Sequence, residues 1–162
     1  MRFFVLIFLL LIMAPAVIQA QPDRRAVALQ AQNDRDDPVA ALASYYDAIN
    51  ARDYRRAYGA WESPPSSYEQ FARGFADTDR VRLLVEPPSR IEGAAGSLYA
   101  DITTILIATT RGGNERIYAG CYVMRKSNVR ATRWQIYRAE ISMVPSSAGV
   151  SRMLSQGCRN SR

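Results

Sequence analysis

Three short runs of large apolar residues at helical spacing, all before residue 76 and each on one face only, constrain this chain more than any other feature. Val39, Leu42, Tyr46 and Ile49 form the first stripe, with Tyr45 at its border as the ring left freest for another role. Asp37-Pro38 supplies an N-cap residue followed by proline at the first helical position. Asp53 can cap a second helix in which Tyr54, Ala57, Tyr58 and Trp61 share a face, and Pro64-Pro65 ends it. Ser66 followed by Glu69 has the form of a capping box, and behind it Tyr68, Phe71, Ala72 and Phe75 make the third stripe. Helices this short take their stability from packing, and a single apolar face needs something flat to lie on.

The second half of the chain supplies that surface. Val81, Leu83 and Val85 alternate in a strand that stops at Pro87-Pro88, and residues 89–97, "SRIEGAAGS", read as a turn region. Ser97 to Thr110 is a long β-branched strand whose centre, "ILIA" at 105–108, is apolar on both faces. "RGGN" at 111–114 marks a hairpin, Glu115 to Lys126 alternates again, and Arg133 to Val144 form the last strand before Pro145. Helices first and antiparallel strands after them predict an α+β fold with three N-terminal helices packed on one sheet face. A strand covered on both faces also raises the expectation that a second copy of the chain covers the outer one, as a homodimer.

Residues 1–20 have the layout of a secretory signal: Arg2, an apolar run from Phe3 to Met13, and small residues leading to Ala20. The expectation is cleavage after Ala20, export to a periplasmic or secreted location, and no stable membrane anchor afterwards. Residues 21–36 are a polar linker, 37–144 the domain and 145–162 a tail. Loss of Arg2 lowers the net charge from +6 to +5, nearly all the positive charge being arginine spread along the chain. No basic run is interleaved with aromatic residues, so no nucleic acid is expected as a partner. Cys121 and Cys158 are the only cysteines, and an even count in an exported chain favours a disulfide that pins the tail to the sheet, two free thiols being the alternative.

The stretches "YYDAINARDYRRAYGAW", "YEQFARGF" and "RWQIYRAEISMV" together resemble the nuclear transport factor 2-like superfamily over residues 37–144. Its members commonly carry a Tyr-rich first helix, an N-x-x-D-Y phrase between the first two helices and a last strand beginning with Trp. Asn50, Asp53, Tyr54 and Trp134 correspond. The resemblance implies a cone-like fold, helices on a strongly bent antiparallel sheet with a cavity between. Members include steroid isomerases, dehydratases, ligand binders and protein-binding modules, so the fold does not choose a function.

The absence of histidine excludes His-based triads and His-ligated metal sites and removes the commonest general base. No metal and no cofactor is expected. On the last strand, period-two alternation puts Trp134, Ile136, Arg138 and Glu140 on one face, and on the long strand Tyr99, Asp101 and Thr103 share one. Steroid isomerases of the superfamily use an Asp base with a Tyr and a protonated Asp as oxyanion donors. Asp101, Glu140 and Tyr46 would imitate that site if they converged, and lie on the solvent face or pair with one another if they do not. The expected function is therefore a non-catalytic exported module. Its cone binds a small apolar ligand, with Tyr45, Tyr46, Tyr99, Arg138 and Trp134 as contacts, or its sheet face binds a protein. The alternative is a small acid–base enzyme of isomerase or dehydratase type.

Overall fold

A computed structural model describes residues 37–88, 90–129, 133–145 and residue 158. The expected signal at 1–20 and the linker at 21–36 lie outside the described residues, as does the tail beyond residue 145 apart from Cys158. Three helices come first: α1 (Pro38–Asn50), α2 (Tyr54–Tyr58) and α3 (Tyr68–Gly74). Five strands follow: β1 (Thr78–Glu86), β2 (Glu92–Ala94), β3 (Ser97–Thr110), β4 (Glu115–Ser127) and β5 (Gln135–Val144). They form one antiparallel sheet in the order β1-β3-β4-β5, with β2 also paired to β3. The sheet is curved and not closed, and the fold is α+β.

Each helix starts where a side chain satisfies an otherwise orphaned N–H. Val39 N–H donates to Asp37 Oδ1 at 2.9 Å, Arg56 N–H to Asp53 Oδ1 at 3.1 Å, and Gln70 N–H to Ser67 Oγ at 3.3 Å. The third cap is thus Ser67 rather than the expected Ser66. α2 stops at Tyr58, and Trp61 leaves the helix to bridge Ile136 of β5. The 89–97 turn region contains β2, whose pairing with residues 97–99 of β3 the Gly-rich sequence concealed.

The core lies between the helices and one face of the sheet. Leu42, Tyr45, Tyr46 and Ile49 of α1 pack against Ala100, Ile102 and Leu106 of β3, Tyr122 and Met124 of β4, and Ile136 of β5. Alternation then puts Tyr99, Asp101, Thr103 and Ile105 on the outer face. Cys158 sits on that outer face, bonded to Cys121 and beside Thr103. Ile105 is 1 % exposed there within a single chain, so its burial requires no second copy.

Period two fails on β5. Met124 pairs with Ile136 but its neighbour Val123 pairs with Arg138, so Tyr137 is an extra residue and the strand is bulged. Ile136 is fully buried in the core while Arg138 and Glu140 point outward, ion-paired to each other at 3.3 Å. The expected single face of Trp134, Ile136, Arg138 and Glu140 is therefore split in two.

Candidate functional site

The interior is built from rings whose polar tips are turned inward. α1 places Tyr45 and Tyr46 side by side, with ring centroids 4.8 Å apart and edge-on. β4 brings Tyr122 against both, and the Tyr46 and Tyr122 hydroxyls share a hydrogen bond of 2.6 Å. Trp61, beyond the end of α2, and Phe71 of α3 close on Tyr45 at 6.3 and 6.4 Å. Such tilted and edge-to-face contacts are the favoured arrangement of aromatic quadrupoles.

Burial decides the protonation of this cluster. It pushes the Tyr122 phenol up to about 12, although the hydrogen bond with Tyr46 opposes the rise. Burial raises Tyr46 well above the ordinary tyrosine value, and its neighbours Tyr122 and Tyr45 add to that. Tyr45 rises for the same first reason, offset in part by the Trp61 indole beside it. All three phenols are therefore neutral hydrogen-bonding groups rather than bases. Among the described residues the buried indole N–H of Trp134 has no hydrogen-bond partner, and that of Trp61 has none beyond the Tyr45 phenol it lies beside. No described carboxylate joins them: every described Asp and Glu is exposed except Asp101, which is half-buried on the outer face.

A concavity opens along the seam between α1 and β1. It has a volume of about 440 Å³, with Tyr46, Asp47 and Asn50 on its helix wall and Arg80 to Leu84 on its strand wall.

No protein-family model matches the sequence, and no curated protein matches it either. Solved structures do resemble it. A protein from Novosphingobium aromaticivorans described as an aromatic ring hydroxylase superposes with a TM-score of 0.53 at 12% identity, covering 70% of this chain and 91% of its own. Another from the same organism, described as a scytalone dehydratase, gives 0.52 at 7% identity, with coverages of 73% and 89%. The SEC-C motif protein RPA3114 from Rhodopseudomonas palustris gives 0.52 at 16%, with coverages of 71% and 86%. The fold is nuclear transport factor 2-like. At these identities the likeness is one of fold alone.

Within this nuclear transport factor 2-like fold the expected site residues are divided by the sheet. Tyr45, Tyr46 and Trp134 are on the inner side, each about 4% exposed, so Tyr45 is a core ring and not a free one. Tyr99, Asp101, Arg138 and Glu140 are on the outer side. Asp101, Glu140 and Tyr46 therefore do not converge, and the constellation drawn from the steroid isomerases is not formed. Tyr99 instead packs edge-on against Tyr137 at 5.9 Å, with the Arg125 guanidinium 5.7 Å from each ring. Arg125 is held by Glu62 at 2.6 Å and donates to Ser97 Oγ.

The same nuclear transport factor 2-like frame explains the N-x-x-D-Y phrase. Asn50 binds the Val81 backbone, Asp53 caps α2, and Tyr54 stacks on Phe75 at 6.1 Å. The phrase joins elements rather than forming a site. Sequence reasoning missed Tyr122 and Trp61 as polar members of the interior. Tyr122 was detectable as an even-numbered neighbour of Met124 on one strand face, whereas the exit of Trp61 from its helix carried no local signal. Among the described residues no cluster of three or more Cys, Asp or Glu is placed to hold a metal ion, and no helix is long and apolar enough to cross a membrane.

Proposed function

We propose that this chain is an exported, non-catalytic binding module whose helix-covered interior takes a small, mostly apolar ligand bearing a hydrogen-bond acceptor. The observation that carries this reading is the buried indole N–H of Trp134, which has no acceptor among the described residues, with the Trp61 indole turned only toward the Tyr45 phenol beside it. A buried donor left unpaired costs about 1–3 kcal/mol, and a ligand carbonyl, ether or carboxylate oxygen would remove that cost. Apolar pockets with a few placed polar groups are the usual form of a small-molecule site. Catalysis of the acid–base type would need a base near the ligand. The described interior offers only neutral phenols and indoles, with the carboxylates outside.

In this reading residues 1–20 direct export and are removed after Ala20, residues 37–144 form the binding domain, and the disulfide ties the tail to it. The Cys121–Cys158 bond supports an oxidising compartment. The names of the fold neighbours add no reaction, because their likeness is confined to the fold.

A thermal-shift panel of steroids, apolar ketones, fatty acids and aromatic acids tests the reading. A ligand at a hundred times its dissociation constant adds about 2.7 kcal/mol of stability, which raises the melting temperature by several degrees. That gain is expected to shrink in Trp134→Phe, which keeps a ring but loses the donor. A panel with no stabilising compound overturns the proposal.

A further inference from the structure

Side chains on the outer face of the sheet stand with their tips turned away from it, so burying them takes a layer above. Ile105 is 1 % exposed there. Its partners across the two ladders are Leu84 of β1, itself 41 % exposed, and Ala119 of β4, too small to cover a neighbour. The helices pack on the inner side. Cys158 is placed over the outer one, against Cys121 and Thr103, and Thr103 is about 7 Å along β3 from Ile105. The rows of the sheet give the route of the chain in between. β5 ends at Val144, opposite Ile117, and the chain returns at Cys158 against Cys121. The row of Ile105 and Ala119 lies midway between the rows of Ile117 and Cys121.

We propose that residues 146–157 of this chain dock on that face as a short amphipathic helix, with its apolar side on Leu84, Ile105 and Ile107. From the row of Ile117 to that of Cys121 is about 13 Å. Fully extended, the segment would run about 40 Å, far more than the gap requires. Coiled as a helix it measures about 18 Å, which leaves room for a turn at each end. Its sequence, "SSAGVSRMLSQG", has the matching pattern. Val150, Met153 and Leu154 recur at helical spacing, and Cys158 follows one turn later on the same side. Ser151, Arg152, Ser155 and Gln156 make the other side polar. Ser146 or Ser147 can cap the start, and Gly157 can end it. A helix this short draws its stability from packing, and the disulfide holds its end against the sheet. Ile107, Ile117 and Ala119 are half-buried around Ile105 and continue the apolar surface that the three side chains would cover. Filled from within the chain, this face is closed to a second copy. The proposal does not depend on whether the interior takes a small ligand.

Methyl nuclear Overhauser contacts in the disulfide-bonded chain, labelled at Ile, Leu, Val and Met, test this. The Ile105 methyls should show contacts with those of Val150, Met153 or Leu154. In a mixture of labelled and unlabelled chains, no Ile105 contact should cross between molecules. Met153→Asp/Leu154→Asp should uncover the patch and raise severalfold the fluorescence of an added apolar dye. Ser151→Asp/Ser155→Asp carries the same charge on the polar side and should leave the dye signal unchanged, which separates lost docking from a general effect of charge. Ile105 in contact with none of the three residues, contacts that cross between molecules, or an equal dye response from the two variants overturns the proposal.

Discussion

Replacing Tyr46 by Phe removes one hydroxyl and almost no volume, so any loss of stability comes from hydrogen bonding rather than from a cavity. The Tyr46 and Tyr122 hydroxyls are 2.6 Å apart, and both residues are 4% exposed. With Tyr46 changed, the Tyr122 hydroxyl is left buried without its partner, at a cost of about 1–3 kcal/mol. Tyr122→Phe should cost a similar amount, because the loss is reciprocal. Removing both hydroxyls removes the desolvation penalty along with the bond, and such paired replacements are nearly neutral. The double variant should therefore be more stable than the sum of the singles predicts, with a coupling of about 1–3 kcal/mol. Urea denaturation of the four proteins, disulfide intact, measures the cycle. Each single variant should also melt about 3–6 °C lower per kcal/mol lost. Additive effects, or singles that cost nothing, would refute the claim that these phenols depend on each other.

Alkaline pH should act on the same cluster. Unfolded tyrosines ionise near pH 10, while burial holds Tyr122 up to about 12 and raises Tyr45 and Tyr46 as well. Between those values the unfolded chain binds fewer protons, so stability should fall as pH rises, by about 1.4 kcal/mol per pH unit for each such tyrosine. Denaturant titrations at successive pH values, read with tyrosinate absorbance, should show these phenols ionising only as the protein unfolds. Asn50→Ala breaks both bonds to Val81 and should cost about 1–3 kcal/mol in urea denaturation, since each bond contributes about 0.5–1.5 kcal/mol. The disulfide closes a sequence separation of 37 residues. Its removal in Cys121→Ser/Cys158→Ser should lower stability by about 3–4 kcal/mol, and reductant should then have no further effect on the denaturation midpoint. Gly120→Ala would set a Cβ onto the Glu140 carbonyl oxygen of β5. It should destabilise by about 3 kcal/mol or more, visible as a lowered melting temperature.

The helices were legible because their signals are local. Asp37, Asp53, Pro38 and the aromatic stripes each act within a turn or two of where they stand, and the structure uses them almost as written. The strands were legible in position but not in facing. A bulge at Tyr137 depends on how β5 meets β4, and no residue within β5 announces it, so Arg138 and Glu140 were grouped with Ile136 when they lie on the opposite face. Tyr45 was misjudged because an edge position on an isolated helix becomes interior once a second helix and a sheet enclose it. Trp61 and Asn50 act across chain separations of about 75 and 31 residues, to Ile136 and Val81. Contacts of that range arise only after the chain has folded, which is why the fold could be read from sequence and the donor-lined interior could not.

The proposal that this interior is a binding site is tested most directly by native mass spectrometry of the chain purified from the exported fraction. The account predicts a population heavier than the disulfide-bonded polypeptide by one small molecule, lost on denaturation and reduced in Trp134→Phe. A spectrum showing only the bare polypeptide mass, unchanged by the substitution, would contradict it.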